Sequence, residues 1–397
     1  MSTRRQFLQQ SAFVSLAPWV PAFLPRSLAA AEPGRDERIL VVIQLDGGND
    51  GLNTVVPFAH ELYAKCRQEL RLPEKDLHQL TDSLALNPGM RAAADLFEEG
   101  RLTIVQGVGY PNPNRSHFES MSIWHHARLE ESQHDSIGWL GRATDPNVVT
   151  VREHPDSIYI GSDAAPVALR GRRSEAISLA NEADLQLLTS VATSHRGTSE
   201  PPTDLTSFVQ RSLDGSFEAA QRFAANTGAD TNSSAYPSSE LARKLKLVSR
   251  LIKLDGGTRV YYVSQPGYDT HSAQLNTHRR LLNEFSRALK AFHDDLRAAG
   301  LDQQVVSLAF SEFGRRVQEN GSAGTDHGAA GPVFLAGSSI RGGIVGEHPS
   351  LEELDKGDLS MSQDFRGIYA AVLEDWLGIP SKPVLGAEFS RPQLFRG

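Results

Sequence analysis

Residues 39–51 read ILVVIQLDGGNDG. Five apolar residues, then Gln44 and Leu45, lead to an aspartate and two glycines. An apolar run that ends at a glycine pair is typical of a strand buried on both faces of a parallel sheet. Because ligands of open α/β sheets bind beyond the carboxyl ends of the strands, we expect Asp46 to lie at a functional edge. The alternative is that Asp46 only caps a turn.

The rest of the chain alternates predicted strands with predicted helices, as an α/β fold does. Short apolar runs predict strands at residues 102–108, 157–161, 258–264, 305–310 and 333–336. Helical periodicity predicts helices at residues 89–99, 118–129, 239–255 and 365–377, and a further helix that contains residues 278–296. The strand–helix–strand order at the start of the chain predicts a parallel, right-handed unit.

Bulk composition disfavours nucleic-acid binding and rules out sites that need several cysteines. The 397 residues carry a formal charge of −8, and residues 1–31 contain three arginines and no acidic residue, so the rest carries −11. A body this acidic is a poor candidate for binding nucleic acid, which depends on neutralising phosphates. Cys66 is the single cysteine, so neither an intramolecular disulfide nor a thiolate metal cluster is expected.

The amino terminus predicts export. Residues 3–8, TRRQFL, resemble a twin-arginine signal and are followed by a short, proline-interrupted apolar region and three alanines. The apolar region is too short to span a bilayer, whereas the alanines suit a cleavage site. We therefore expect a signal peptide at residues 1–31, the twin-arginine export machinery as a partner, a periplasmic or extracellular location, and no stable membrane insertion.

The mature chain, residues 32–397, is interpreted as one α/β domain. Residues 165–237 are variable in polarity and are interpreted as a helical insertion over the sheet. At the end of the insertion, the polar, turn-rich stretch at residues 226–238 is the best candidate for a flexible connection.

A proline-rich loop precedes the helix predicted at residues 118–129. It reads GYPNPNRSH over residues 109–117 and places Ser116 at the start of the helix. Free N–H groups and the positive dipole end suit an oxyanion there, so Ser116 is a candidate nucleophile and Arg115 a candidate ligand of a phosphate or sulfate oxygen. The alternative is an N-cap, with Glu119 completing a capping box.

Acidic, hydroxyl and imidazole side chains follow four of the strands. They are Asp46, Ser116, Asp269, His271 and Glu312, with Asp326 and His327 in the next loop. In a parallel sheet these strand ends gather on one edge, where oxygen and imidazole ligands suit zinc, manganese or a similar divalent ion. Crowded carboxylates without a cation would cost several kcal/mol each, so either a metal binds there or some side chains face water.

Long motifs in the chain resemble the DUF1501 family, exported relatives within the alkaline phosphatase and sulfatase superfamily. The motifs are LDGGNDGLNTVVPF at residues 45–58, GVGYPNPNRSHFESMSIWHHA at 107–127, GYDTHSAQ at 267–274 and SEFGRRVQENGSAGTDHGAAGPVF at 311–334. The resemblance implies an alkaline-phosphatase-like fold, with a mostly parallel central sheet sandwiched between helices. It also implies two metal ions flanking a nucleophile.

The resemblance assigns roles to individual residues. Asp46 resembles the early aspartate ligand, Ser116 the nucleophile, and Asp269 and His271 the ligands of the other metal, although the usual spacing of that pair is wider. His327 resembles the late histidine ligand.

One motif departs from the superfamily. Where an Asp-His-Gly sequence is usual, this chain has Glu312-Phe313-Gly314, and phenylalanine cannot bind a metal. Asp326 and His327 are an alternative pair, but this assignment leaves the late histidine unassigned. One or two ions therefore fit the pattern.

These features predict a hydrolase of phosphate or sulfate esters that depends on a divalent metal. Ser116 would attack in line, and Arg115 or Arg315 would hold an equatorial oxygen of the ester. The alternative is a catalytically silent exported binding or assembly protein with the same fold, which Phe313 favours. A serine triad is disfavoured because the chain has no G-x-S-x-G motif.

Overall fold

A computed structural model describes residues 38–145, 155–174, 176–181, 236–254 and 257–396. The predicted signal at residues 1–31 lies outside these ranges, as do residues 182–235 of the predicted helical insertion. The described start of that insertion contains a 3₁₀ turn, Val167–Leu169, and a short strand. The helical prediction for the remainder stays a prediction.

Fourteen strands are found within the described residues. In chain order they are β1 (Ile39–Asp46), β2 (Val55–Val56), β3 (His78–Gln79), β4 (Ala85–Leu86), β5 (Leu102–Gly109), β6 (Ser157–Ile160), β7 (Ala176–Leu179), β8 (Val260–Pro266), β9 (Val305–Phe310), β10 (Gly331–Ala336), β11 (Gly343–Val345), β12 (Leu354–Asp355), β13 (Asp358–Leu359) and β14 (Gln363–Asp364).

Nine α-helices are found within the described residues; the five longest overlap the ranges predicted from periodicity, and the other four have six residues or fewer. They are α1 (Gly51–Thr54), α2 (Glu61–Cys66), α3 (Arg91–Glu98), α4 (His117–His126), α5 (Trp139–Thr144), α6 (Glu240–Leu254), α7 (Gln274–Ala298), α8 (Phe365–Ala371) and α9 (Ser381–Leu385). A π-helical segment, Val372–Leu377, continues α8. None of the helices described here is long and apolar enough to cross a membrane.

The main sheet has the strand order β11-β5-β10-β9-β1-β8-β6-β7, with β14 also paired to β5. All pairs are parallel except those of β10, which runs antiparallel to both β5 and β9. β5 runs in the same direction as β1, as predicted, but β10 and β9 lie between them.

Helices cover both faces of this sheet. One core contains apolar residues of α3, α6 and α7, and the other contains residues of α4, α5, α8, α9 and the π-helical segment. The central strand β1 serves both cores: Val41 and Ile43 lie in the first, and Leu40 and Val42 in the second. This confirms the prediction of a mostly parallel sheet sandwiched between helices, because a strand apolar at every position requires both faces to be covered.

The pairing register of the strands shows which loops meet at the functional edge. Asp46, the last residue of β1, is opposite Pro266 of β8, and Gln44 is opposite Phe310 of β9. The loops that follow these three strands therefore leave the sheet side by side. Because β10 is antiparallel, the loop between β9 and β10 returns to the same edge before β10 begins at Gly331.

We expect buried histidines to make the fold sensitive to acid. His278 and His293 on α7 are almost fully buried, and burial lowers their pKa values to about 4 and about 3. Below the unfolded value of about 6.5, the unfolded chain binds protons that the folded chain does not. The free energy of unfolding should therefore fall as pH drops from about 6.5 to 4, by up to about 1.4 kcal/mol per pH unit for each histidine.

Urea unfolding at several pH values measures this slope. In His293→Gln, the free energy of unfolding should change less steeply with pH than in wild type. Ser307→Ala is the matched control, since it removes the 2.9 Å hydrogen bond to His293 Nε2 but leaves the imidazole in place. Equal slopes in wild type and His293→Gln would contradict the explanation.

Candidate metal centre

Two glycines let the loop after β1 approach the other loops of the edge. Gly47 has φ +119°, and a Cβ there would lie 2.4 Å from the backbone nitrogen of Asp269. Gly48 has φ +74°, and a Cβ there would lie 2.4 Å from the ring of Phe313. A side chain at either position would force the loops apart, so the glycine pair is required by the close contact of three loops.

His117, the first residue of α4, enters the edge from the loop after β5. Its Nδ1 lies 2.7 Å from Oε1 of Glu312, whose carboxylate also accepts the N–H of Gly47 at 3.0 Å. Its Nε2 is buried and has no hydrogen-bond partner among the described residues. A histidine with one nitrogen on a carboxylate and the other unpartnered has the orientation of a metal ligand.

His327 is held in the same manner. Its Nδ1 lies 2.6 Å from the backbone carbonyl oxygen of Arg115, which can only accept, so Nδ1 carries the proton and the neutral ring presents a lone pair at Nε2. That Nε2 lies 3.3 Å from Oδ1 of Asp269. Burial, and then the charge of Arg315, lower the pKa of His327, which favours the neutral, ligating form.

Asp269 is the common neighbour of both histidines. Its Oδ1 lies 3.4 Å from Nε2 of His117 and 3.3 Å from Nε2 of His327, and the three ligand atoms lie within 4.8 Å of one another. Two ligands bound tetrahedrally at zinc distances are roughly 3.3 Å apart. Two histidines and a carboxylate also match the ligand number of a catalytic zinc site, which leaves a further position open. The residues present therefore fit a divalent metal.

His117 was missed by the sequence analysis. It directly follows Ser116, the residue for which a role was predicted. The available signal was a histidine at the first position of a helix that begins after a strand end.

His271 and Asp326 lie on the exposed rim of the centre. Nε2 of His271 is 3.0 Å from Oδ1 of Asp269 and 2.8 Å from Nε2 of His327, and its Nδ1 is 3.4 Å from Asp326. His271 is therefore near enough to join the ligand set. Asp326 contacts His271 at the rim and accepts a 3.2 Å hydrogen bond from the side chain of Asn320, and it is not part of the three-residue set of His117, Asp269 and His327.

The structure places Asp46 and Glu312 beside the three-residue set rather than in it. Oδ1 of Asp46 accepts a 3.3 Å hydrogen bond from Gln44, and burial, with the nearby charge of Glu312, raises the pKa of Asp46. Glu312 is fully buried, and its oxygens face His117, Gly47 and Ser311. Its contacts are those of a residue that orients a ligand.

Ser116 is the N-cap of α4, as the alternative interpretation predicted, but its backbone N–H donates to Oδ1 of Asn114 at 2.8 Å, so Glu119 does not complete a capping box. The Oγ of Ser116 accepts a long, 3.5 Å hydrogen bond from the N–H of Glu119, and the residue is exposed. The guanidinium of Arg115 forms an ion pair with the buried carboxylate of Asp358, at 2.9 Å from Nε. In this conformation the guanidinium of Arg115 is engaged by Asp358.

Arg315 is buried in the centre and binds three loops at once. It donates to the carbonyls of Gly47 and Gly48 after β1, to Asp269 Oδ1 at 2.8 Å after β8, and to the carbonyl of Thr325 at 2.8 Å before β10. Burial opposes ionisation of Asp269, but the hydrogen bond and charge of Arg315 outweigh burial and lower the pKa of Asp269 to about 2. Arg315 therefore positions Asp269 and is inaccessible to an ester oxygen.

A fully buried ion pair lies next to these loops. The side chains of Asp50 and Arg67 form a fully buried ion pair, with Nη2 of Arg67 at 3.0 Å from Oδ1 of Asp50. Gln274 also donates to Asp50, and its Oε1 accepts from the hydroxyls of Thr270 at 3.0 Å and Thr325 at 2.6 Å. This network connects the loops that carry Asp269 and His327.

We expect Asp50→Asn to destabilise the fold by about 3–5 kcal/mol, because it leaves the Arg67 guanidinium buried without its counter-charge. The matched control is Asp95→Asn in the exposed pair with Arg91, which should cost about 1 kcal/mol or less. Chemical denaturation of both variants measures the difference, and equal losses would show that the buried pair has no special role.

Comparisons with known proteins place the chain in context. A family model described as "Protein of unknown function (DUF1501)" matches residues 37–366. No curated protein matches the sequence.

Three solved structures illustrate the similarity of the chain trace. The C-terminal periplasmic domain of EcEptC from Escherichia coli, in complex with Zn, is 10% identical over 77% of this chain and 74% of its own, with a TM-score of 0.39. A mutant of TAB5 alkaline phosphatase with Mg bound in its M3 site is 11% identical over 76% of this chain and 92% of its own, with a TM-score of 0.31. A putative sulfatase from Bacteroides thetaiotaomicron is 7% identical over 89% and 76%, with a TM-score of 0.39.

Proposed function

The chain belongs to the DUF1501 family, and we propose that it is an exported, metal-dependent hydrolase of phosphate or sulfate esters. The observation that carries the proposal is the set of His117, Asp269 and His327, whose ligand atoms lie within 4.8 Å of one another. Both histidines are oriented by acceptors on their other nitrogen, which a merely structural pair does not require.

These three side chains would hold the ion, with His271 near enough to join them. A bound divalent ion supplies positive charge to an ester oxygen and to the attacking group. Zinc or manganese suits a donor set of two imidazoles and one carboxylate. Glu312 keeps His117 in place through its Nδ1, and Arg315 keeps Asp269 ionised and directed into the centre.

Ser116 is the proposed nucleophile because its exposed hydroxyl immediately precedes a ligand of the centre. It stands at the amino terminus of a ten-residue helix, where free N–H groups stabilise an oxyanion. In the first step the bond from Oγ to phosphorus or sulfur forms as the bond to the alcohol oxygen breaks, and the alcohol leaves with the hydroxyl proton. Water then hydrolyses the seryl ester and restores the hydroxyl group.

The ester class rests on the motif resemblance together with this anion-binding geometry. Neither Arg115 nor Arg315 is needed to hold the anion in this proposal, since both guanidinium groups are engaged by carboxylates. Export by the twin-arginine route is proposed from residues 3–8 alone.

We expect Ser116→Ala and Asp269→Asn each to lower kcat about 100-fold or more on whichever phosphate or sulfate ester the wild type hydrolyses. Ser239→Ala is the matched control: Ser239 Oγ accepts a 3.3 Å hydrogen bond from the Ala242 N–H at the start of α6. The Ser239→Ala variant should lose about 1 kcal/mol in its free energy of unfolding and keep its activity. Turnover that survives Ser116→Ala but not Asp269→Asn would assign the attack to water and reject the serine.

Phe118 is the proposed contact for the organic part of the ester. Its side chain is 82% exposed although it follows His117 directly. Covering an exposed phenylalanine is worth about 1.5–3 kcal/mol. Phe118→Ala should therefore raise KM for an aryl ester about tenfold, with metal content unchanged and little effect on methyl phosphate or methyl sulfate. Equal effects on aryl and methyl esters would reject this contact.

A second candidate function is an exported binding protein that keeps the fold and the ion without turnover. Ser116 acting as an N-cap and Phe313 standing where a ligand would be expected both favour it. Stoichiometric metal in the purified protein, with no hydrolysis across phosphomonoesters, phosphodiesters and sulfate esters, would select this function over the hydrolase.

A further inference from the structure

We propose that the centre holds one divalent ion per chain, and that the buried guanidinium of Arg315 stands permanently where a second positive charge is needed. This inference deepens the proposed function and rests on it. It differs from the two ions that the motif resemblance implies.

The charges around the centre balance with one ion. Asp46, Asp269 and Glu312 bring at most three negative charges, and Arg315 brings one positive charge, which leaves at most two. One divalent cation neutralises them. A second would create an excess of at least two positive charges beside Glu312 and Arg315, whose side chains are fully buried, and buried uncompensated charge is strongly unfavourable.

The side chains that a second ion would need are already engaged or replaced. Oε1 of Glu312 faces His117 and Gly47, and its Oε2 lies 3.0 Å from Oγ of Ser311. The ring of Phe313 packs against the imidazoles of His117 and His327, with centroid distances of 4.8 and 4.9 Å. An aromatic ring covers that side of the centre and offers no donor atom.

Arg315 cannot leave its position as a metal ion can. Its guanidinium binds backbone carbonyls of all three loops as well as Oδ1 of Asp269, and its side chain is fully buried. Removing it would leave those carbonyls without donors. The positive charge at 2.8 Å from Asp269 is therefore a fixed part of the fold.

The two aspartates distinguish one ion from two. Asp269 is inside the three-residue set, whereas Asp46 lies outside it and contacts Gln44. With one ion, only Asp269 is a required ligand. With two, Asp46 would hold the other ion, as the motif resemblance implies.

The experiment counts ions in the full folded chain after export and signal removal. The metal-stripped protein is titrated with ZnCl₂, and separately with MnCl₂, in the presence of a weak competing chelator; native mass spectrometry counts bound ions and calorimetry measures Kd. We expect one ion in wild type, one ion in Asp46→Asn with Kd changed less than about tenfold, and binding weakened about 100-fold or more in Asp269→Asn.

Each outcome decides the matter. Two ions in wild type, or loss of an ion in Asp46→Asn while Asp269→Asn keeps one, would overturn the single-ion inference and leave the proposed hydrolase standing. Wild type without any ion, in properly exported protein, would overturn the proposed function and this inference together. Circular dichroism of each aspartate variant shows whether lost binding reflects a lost fold, and the wild-type count alone still tests the inference if a variant does not fold.

Discussion

The candidate metal centre is organised around one buried guanidinium group, that of Arg315. Arg315 lies inside the protein, so each of its N–H groups requires an acceptor. The acceptors come from the loops after β1 and β8 and from the loop before β10, together with the carboxylate of Asp269. Three segments far apart in sequence are thereby joined at one point, and the ligands they carry are brought within reach of one ion.

The antiparallel strand β10 makes this arrangement possible. In a fully parallel sheet, the chain after β9 would cross to the opposite edge before its next strand. Here the loop between β9 and β10 stays at the functional edge. Glu312, at the start of this loop, and His327, near its end, therefore both lie at that edge. The buried pair of Asp50 and Arg67, with Gln274, supports the same loops from below.

Two residues lie at the centre as predicted but have roles that differ from the predicted ones. Glu312 was expected to bind the metal, and its contacts are those of a group that orients His117. Arg315 was expected to hold an ester oxygen, and it instead holds Asp269. In both cases the residue type indicated the kind of interaction, a carboxylate or a guanidinium at the centre. Which atoms it faces depended on burial and on loop packing, which no local pattern records.

The sequence alone determined the layered α/β fold, because a strand that is apolar at every position demands cover on both faces and the helices show matching apolar stripes. It also determined that Asp46, Asp269 and Glu312 follow strand ends, and hence that they share an edge. Only the tertiary structure decided that His117 joins Asp269 and His327, that β10 runs antiparallel, and that Arg315 is buried. The physical reason is that these depend on contacts between loops separated by up to 268 residues. The geometry of those contacts is set by close packing and by satisfaction of buried polar groups rather than by any periodicity along the chain.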